Sequence, residues 1–150
     1  MILAKDLMSK TAIVVPEDML ITELSRLLRE KRIGGAPVTD KNNKICGIVT
    51  VTDLFQAMKI VRRMNNNKTN WFSFFALGRK NIRVKEIYTR KVISVTPDTP
   101  VEKVVDMMLE KDLHTVPVMN ADQTELYGVV GRHDVTWAAL GSEEATTPPK

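Results

Sequence analysis

Apolar positions along the chain change their period in one fixed order, and the order occurs twice. A β-type run, "TAIVV" (11–15), is closed by Pro16, after which Leu20, Leu24, Leu27 and Leu28 recur at helical spacing. Two short apolar runs, "APVTD" and "ICGIVT", then flank the polar turn "DKNNK" and predict a β-hairpin. Leu54, Met58 and Val61 place one apolar face on a second helix starting near Asp53. From residue 92 the order repeats: "VISVT", a helix with Val101, Val104, Val105, Met108 and Leu109 on one face, then "VPVMN", "NADQTE" and "LYGVVG", and a helix from Asp134. Each copy reads β-α-β-β-α.

Pro16 and Pro97 align at a spacing of 81, Pro37 and Pro117 at 80, and Asp53 and Asp134 at 81 again, so one residue is expected to drop out between the first two pairs. Local signals add caps. Asp18 is expected to cap the first helix, and Thr99, Pro100 and Glu102 to form a capping box with proline at the first helical position. Gly34 reads as a helix stop.

A unit of about 55 residues buries too little surface to be comfortably stable alone. The expectation is an α+β fold in which two pseudo-symmetric β-α-β-β-α units pack through their sheets into one compact module. The boundaries are residues 1–64 for the first repeat, 65–82 for a connecting insertion, 83–141 for the second repeat and 142–150 for a disordered tail. The insertion carries "WFSFFALG", either packed over the body or exposed for self-association.

Composition alters this picture little. Of 150 residues, 43% are hydrophobic and 27% charged, ordinary for a globular chain. Lys and Arg outnumber Asp and Glu by 22 to 18, a net charge of +4 that favours anionic partners only mildly. The basic stretches "KIVRRMNNNK" and "GRKNIRVK" have few interleaved aromatics and read as solvated helix faces, so nucleic acid is not expected as a partner. The one cysteine, Cys46, excludes an intramolecular disulfide and reads as a small strand hydrophobe. No apolar run approaches the length of a membrane span, and a cytoplasmic protein is the expectation.

Taken together, "AKDLMSKTAIVVPED", "GGAPVTD" and "GIVTVTDL", answered by "VKEIYTRKVISVTPDTPV", "TVPVMN" and "YGVVGRHDV", resemble a tandem pair of cystathionine-β-synthase (CBS) domains. The ordered set covers nearly the whole chain apart from the insertion and the tail. The resemblance implies a regulatory module and not an enzyme. Such pairs commonly bind AMP, ADP, ATP or S-adenosylmethionine in clefts between the repeats. They often form homodimers and act on attached or separate effector proteins.

The family's ligand motif is a glycine, an apolar residue and Thr/Ser-x-x-Asp at a strand-to-helix junction, which Gly47, Ile48, Thr50 and Asp53 match. A carboxylate accepts two hydrogen bonds at once, which suits the adjacent hydroxyls of a ribose. A threonine hydroxyl at a helix N-terminus suits a phosphate. The same Thr-x-x-Asp also fits a capping box, and the two roles are compatible. By resemblance, Ile33, Gly34, Gly35 and Ala36 wall the adenine, with Ser9 to Thr11 completing the wall. Leu113, His114 and Val116 are their counterparts in the second copy. There Gly131 replaces Thr50 while Asp134 is kept, so the second site is open between weakened, altered and empty, with Arg132 or His133 as substitute phosphate contacts.

No nucleophile–base pair, paired carboxylates or phosphate-binding glycine loop stands out. His114 and His133 fit no metal-ligand spacing, so neither catalysis nor a metal is expected. The rival reading is an interaction scaffold whose clefts stay empty.

Overall fold

The computed structural model describes residues 1–10, 13–66, 70, 72 and 81–141. Thr11, the aromatic stretch 71–78 except Phe72, and the tail 142–150 lie outside the described residues. The elements in chain order are α1 (Ala4–Leu7), β1 (Val15–Pro16), α2 (Ile21–Lys31), β2 (Gly35–Thr39), β3 (Ile45–Thr50) and α3 (Val51–Met64). After a 3-10 turn at Val84–Glu86 come α4 (Val101–Glu110), β4 (Thr115–Met119), β5 (Leu126–Gly131) and α5 (Arg132–Leu140).

The chain divides into two compact units: a first unit of residues 13–92, and a second made of 1–12 with 93–150. In the first, β1 runs parallel to β2, which pairs antiparallel with β3 in the order β1-β2-β3. Its core is Val15, Leu24, Leu28, Ala36, Val38, Val49 and Val84, with Ile21, Ala57, Val61 and Ile82 forming a smaller cluster. In the second, β4 and β5 form a hairpin over Ala4, Val95, Val104, Met108, Val116, Val118, Val130 and Val135. The run "VISVT" contributes a single parallel bridge, Val95 to Val118, where a strand was expected. In the first unit the ladder continues from the Glu17 N–H to the Thr39 carbonyl at 2.9 Å, whereas its counterpart Pro97 has no N–H to donate.

Val15 faces Val38 as Val95 faces Val118, so these strands correspond at a spacing of 80 and not at the 81 that the prolines suggested. The change of one residue falls in the hairpin turns, which Asp40 and Lys44 close in one unit and Asn120 and Glu125 in the other.

The helix starts also differ from expectation. Leu20 and Pro100 occupy the N-cap positions of α2 and α4, and neither offers a side-chain cap. Backbone supplies the acceptor instead. Ile21 N–H donates to the Ile82 carbonyl at 3.0 Å, and Val101 N–H to the Ile2 carbonyl at 2.9 Å. Asp18 pairs with Lys85 at 3.1 Å, so it is not a cap. Each short lead-in therefore completes a unit. Residues 81–90 bridge to Leu20 and Ile48 in the first, and residues 2–10 bridge to Pro100 and Val129 in the second.

Helix α2 stops at Arg32, which takes the left-handed conformation (φ 54°), two residues before the expected stop at Gly34. Ile33 N–H closes the turn on the Leu28 carbonyl at 3.0 Å. Glycine adopts this conformation without the strain that a Cβ brings. Arg32→Gly is expected to raise stability by about 0.5–1 kcal/mol, read from urea denaturation midpoints.

Candidate functional site

The β2–β3 register assembles the first unit's candidates at one end of the hairpin. Gly35 stands opposite Thr50, Ala36 opposite Val49 and Pro37 opposite Ile48. One further bond ties the two sides together, from Val51 N–H to the Gly34 carbonyl at 2.9 Å. Thr50 is the N-cap of α3. Its hydroxyl accepts the Asp53 N–H at 3.3 Å, while Asp53 Oδ2 accepts the Thr50 N–H at 2.8 Å and the Thr50 hydroxyl at 3.2 Å. The capping box is therefore present. It uses one carboxylate oxygen, and no bond to Oδ1 exists among the described residues.

Asp53 is half-buried, and burial raises its pKa above the ordinary carboxylate value, partly offset by the hydrogen bonds from Thr50. Gly34 is exposed, and a Cβ built on it would meet nothing within 4 Å. Ile33 and Ile48 are half-exposed beside it. A flat group could lie against this backbone within the same junction that carries the carboxylate. Ala36 cannot serve as wall through its side chain, because it is 1% exposed and part of the core.

The second unit repeats the frame with altered side chains. Thr115 stands opposite Gly131, and Arg132 N–H donates to the His114 carbonyl at 3.0 Å. Asp134 Oδ2 accepts the Gly131 N–H at 2.7 Å, but with glycine at the cap the Asp134 N–H has no side-chain oxygen to donate to. Burial raises the pKa of Asp134 as well, and the Gly131 hydrogen bond and His133 oppose it. Val116 is fully buried in the core and is excluded as wall in the same way as Ala36. Leu113 and His114 are half-exposed at the junction.

Arg132 does not point away as a spare cation. Its Nε donates to the Leu113 carbonyl at 2.9 Å and its terminal nitrogen pairs with Asp112 at 2.8 Å, which fixes the left-handed turn at Asp112 (φ 52°). His133 is exposed and packs at a tilt of 44° against Trp137, with ring centroids 5.4 Å apart. Among the described residues no group of three or more His, Cys, Asp or Glu is arranged to hold a metal ion, and no helix is long and apolar enough to cross a membrane.

A family model described as "CBS domain" matches residues 4–60 and 84–141. An uncharacterised protein of Methanocaldococcus jannaschii is 30% identical over 164 residues, spanning 92% of this chain and 91% of its own length. Two further curated relatives are much longer, and the chain spans only 23% and 22% of them. Among solved structures, the fold is similar to the CBS domain pair of protein MJ0100 in complex with 5′-methylthioadenosine and S-adenosyl-L-methionine. That likeness has a TM-score of 0.73 at 28% identity, over 93% of this chain and 97% of that one. The fold is also similar to CBSX2 in complex with AMP, with a TM-score of 0.68 at 26% identity, over 92% and 96% of the two chains. With matches over both halves and a shared fold of repeated strand-to-helix junctions, this chain belongs to the CBS-domain family and carries two copies of the domain.

Proposed function

We propose that the chain is a regulatory sensing module that binds an adenine nucleotide (AMP, ADP or ATP) or S-adenosylmethionine, and thereby biases a homodimer or the interface with a separate effector protein. The observation that carries this reading is the Thr50–Asp53 junction: a half-buried carboxylate with one uncommitted oxygen, next to the exposed backbone of Gly34. The adenosine-containing ligands of the MJ0100 and CBSX2 pairs support it. Asp53 would accept the ribose hydroxyls, the Thr50 hydroxyl and the α3 N-terminus would meet phosphate, and Ile33 and Gly34 would flank the base. Ligand preference for one of two states is what turns binding into a signal.

Titration calorimetry with AMP, ADP, ATP and S-adenosylmethionine tests the reading, and well-folded protein that binds none of them refutes it. The pH dependence is a sharper form of the same test. The ribose contact needs the ionised carboxylate, and the pKa of Asp53 is raised by burial. Affinity is therefore expected to fall on acidification, beginning above the ordinary carboxylate range of about 4. Stability runs the other way. A raised carboxylate pKa contributes stability at low pH, lost as pH rises through the folded value.

A second reading has its own observation. Val51 and Phe55, 53% and 68% exposed, lie on one face of α3, and Trp137 and Leu140, 48% and 81% exposed, on α5. These apolar groups fit a scaffold that associates without sensing. Light scattering on the calorimetry samples separates the two: an oligomeric state indifferent to every ligand favours the scaffold.

A further inference from the structure

The two lead-ins occupy equivalent places but carry different side chains. In the first unit the backbone of Thr89 pairs with Ile48, and the ring of Tyr88 lies against Gly47. In the second unit Ser9 pairs with Val129, and Met8 lies against Gly128. Tyr88 is half-buried and has close neighbours. Arg90 lies over its ring at 5.7 Å, and the Cys46 thiol beside its hydroxyl pushes the tyrosine pKa up, with Glu17 also nearby. The corresponding residues of the second unit are Lys10, Tyr127 and Pro97. They surround an open groove of about 560 Å³, whose lining also includes Met8 and Ala121. Methionine stands where the first unit has a ring, and Ala121 where it has Lys41.

The groove lies at the turn end of the β4–β5 hairpin. Tyr127 is four residues before Gly131, about 13 Å along an extended strand, so the groove is separate from the Asp134 junction. Its polar groups are mostly committed. Asn120 Oδ1 accepts the Thr124 and Glu125 N–H groups at 2.8 and 2.9 Å, Lys5 pairs with Asp98 at 2.8 Å, and the Tyr127 hydroxyl reaches Glu125 at 3.4 Å. Lys10 is exposed and has no hydrogen bond or ion pair among the described residues. The groove thus offers apolar and aromatic walls and one unpaired cation, and its volume is that of a small-molecule site.

We propose that the second unit binds a planar aromatic molecule bearing an anionic group in this groove. The ring lies between Met8, Pro97 and Tyr127, and the anion meets Lys10. The bound molecule takes the part that Tyr88 plays beneath Arg90 in the first unit. Charge complementarity selects the anion, and the ring is selected by the apolar walls and the edge or face of Tyr127.

Indole-3-acetate is the probe and indole-3-acetamide its neutral twin, each titrated into the full chain by calorimetry. The acid is expected to bind once per chain, at least about fivefold more tightly than the amide. Lys10→Ala should bring the acid down to the affinity of the amide, and Tyr127→Ala should weaken both. Both side chains are solvent-accessible, and unchanged melting curves confirm folded variants. Saturation with AMP should leave the binding unaltered, so the result does not depend on the Asp53 site. No binding of the acid at about 10 mM, equal affinity for acid and amide, or full affinity in both variants overturns the proposal.

Discussion

Asp53→Ala is expected to lower affinity for a ribose-bearing ligand by roughly 100-fold, the largest loss from any single side chain at the junction. Two hydrogen bonds to an ionised carboxylate are at stake, each contributing about 1.5–3 kcal/mol. Loss of even the lower figure twice corresponds to about two orders of magnitude in Kd. The alanine variant also removes the acceptor for the Thr50 N–H, at a cost of about 1 kcal/mol in stability. Asp53→Asn separates the two effects. Its amide oxygen can still accept the Thr50 N–H, so the helix start is kept while the charge is lost. Calorimetry and thermal melts on the pair should show both variants weak in binding but only the alanine variant less stable. Asp134→Ala should cost no more than about tenfold, because that junction has Gly131 where a hydroxyl would complete the site. Binding undiminished in both Asp53 variants would remove the carboxylate from the site.

How much of this was legible in the chain depends on whether the cause was local. Thr50 and Asp53 are three residues apart and their reciprocal bonds close within one turn, so the spacing alone carried the capping geometry. The element order was legible for a related reason, since burial of one face imposes its period on the chain. The side chains of Ala36 and Val116 lie in the core because β2 and β4 are buried along their whole length, and resemblance could not say which way a side chain faces. The caps at Asp18 and Thr99 failed because the backbone of a lead-in more than 60 residues away supplies the acceptor to α2 and α4. Nothing in "AKDLMSK" or "VKEIYTR" distinguishes the hairpin each joins. The two segments carry the same pattern, and only the folded chain shows that residues 1–12 complete the unit built from 93–150.

Gly47→Ala is expected to be the most destabilising single substitution in the first unit, by about 3–5 kcal/mol. Gly47 lies where the lead-in crosses β3, and Ile48 and Thr89 exchange backbone hydrogen bonds of 3.0 Å on either side. A Cβ at position 47 would stand 2.6 and 2.7 Å from two ring carbons of Tyr88, and would press directly on the Thr89 carbonyl oxygen. The oxygen belongs to backbone and cannot rotate away. The ring is held between the core and Arg90, so its escape would cost packing as well. Relief requires the lead-in to lift off β3, breaking both hydrogen bonds and freeing Tyr88 and Ile87 from the core they pack against. Gly128→Ala provides the internal comparison. Its Cβ would meet the Ser9 carbonyl oxygen at 2.5 Å and the flexible end of Met8 at 2.9 Å, and a methionine side chain can turn aside where a tyrosine ring cannot. Urea denaturation should therefore rank wild type above Gly128→Ala, and Gly128→Ala above Gly47→Ala, with the last lowering the melting temperature by roughly 10 °C or more. A Gly47→Ala protein within about 1 kcal/mol of wild type would mean that the 81–90 segment does not lie across β3.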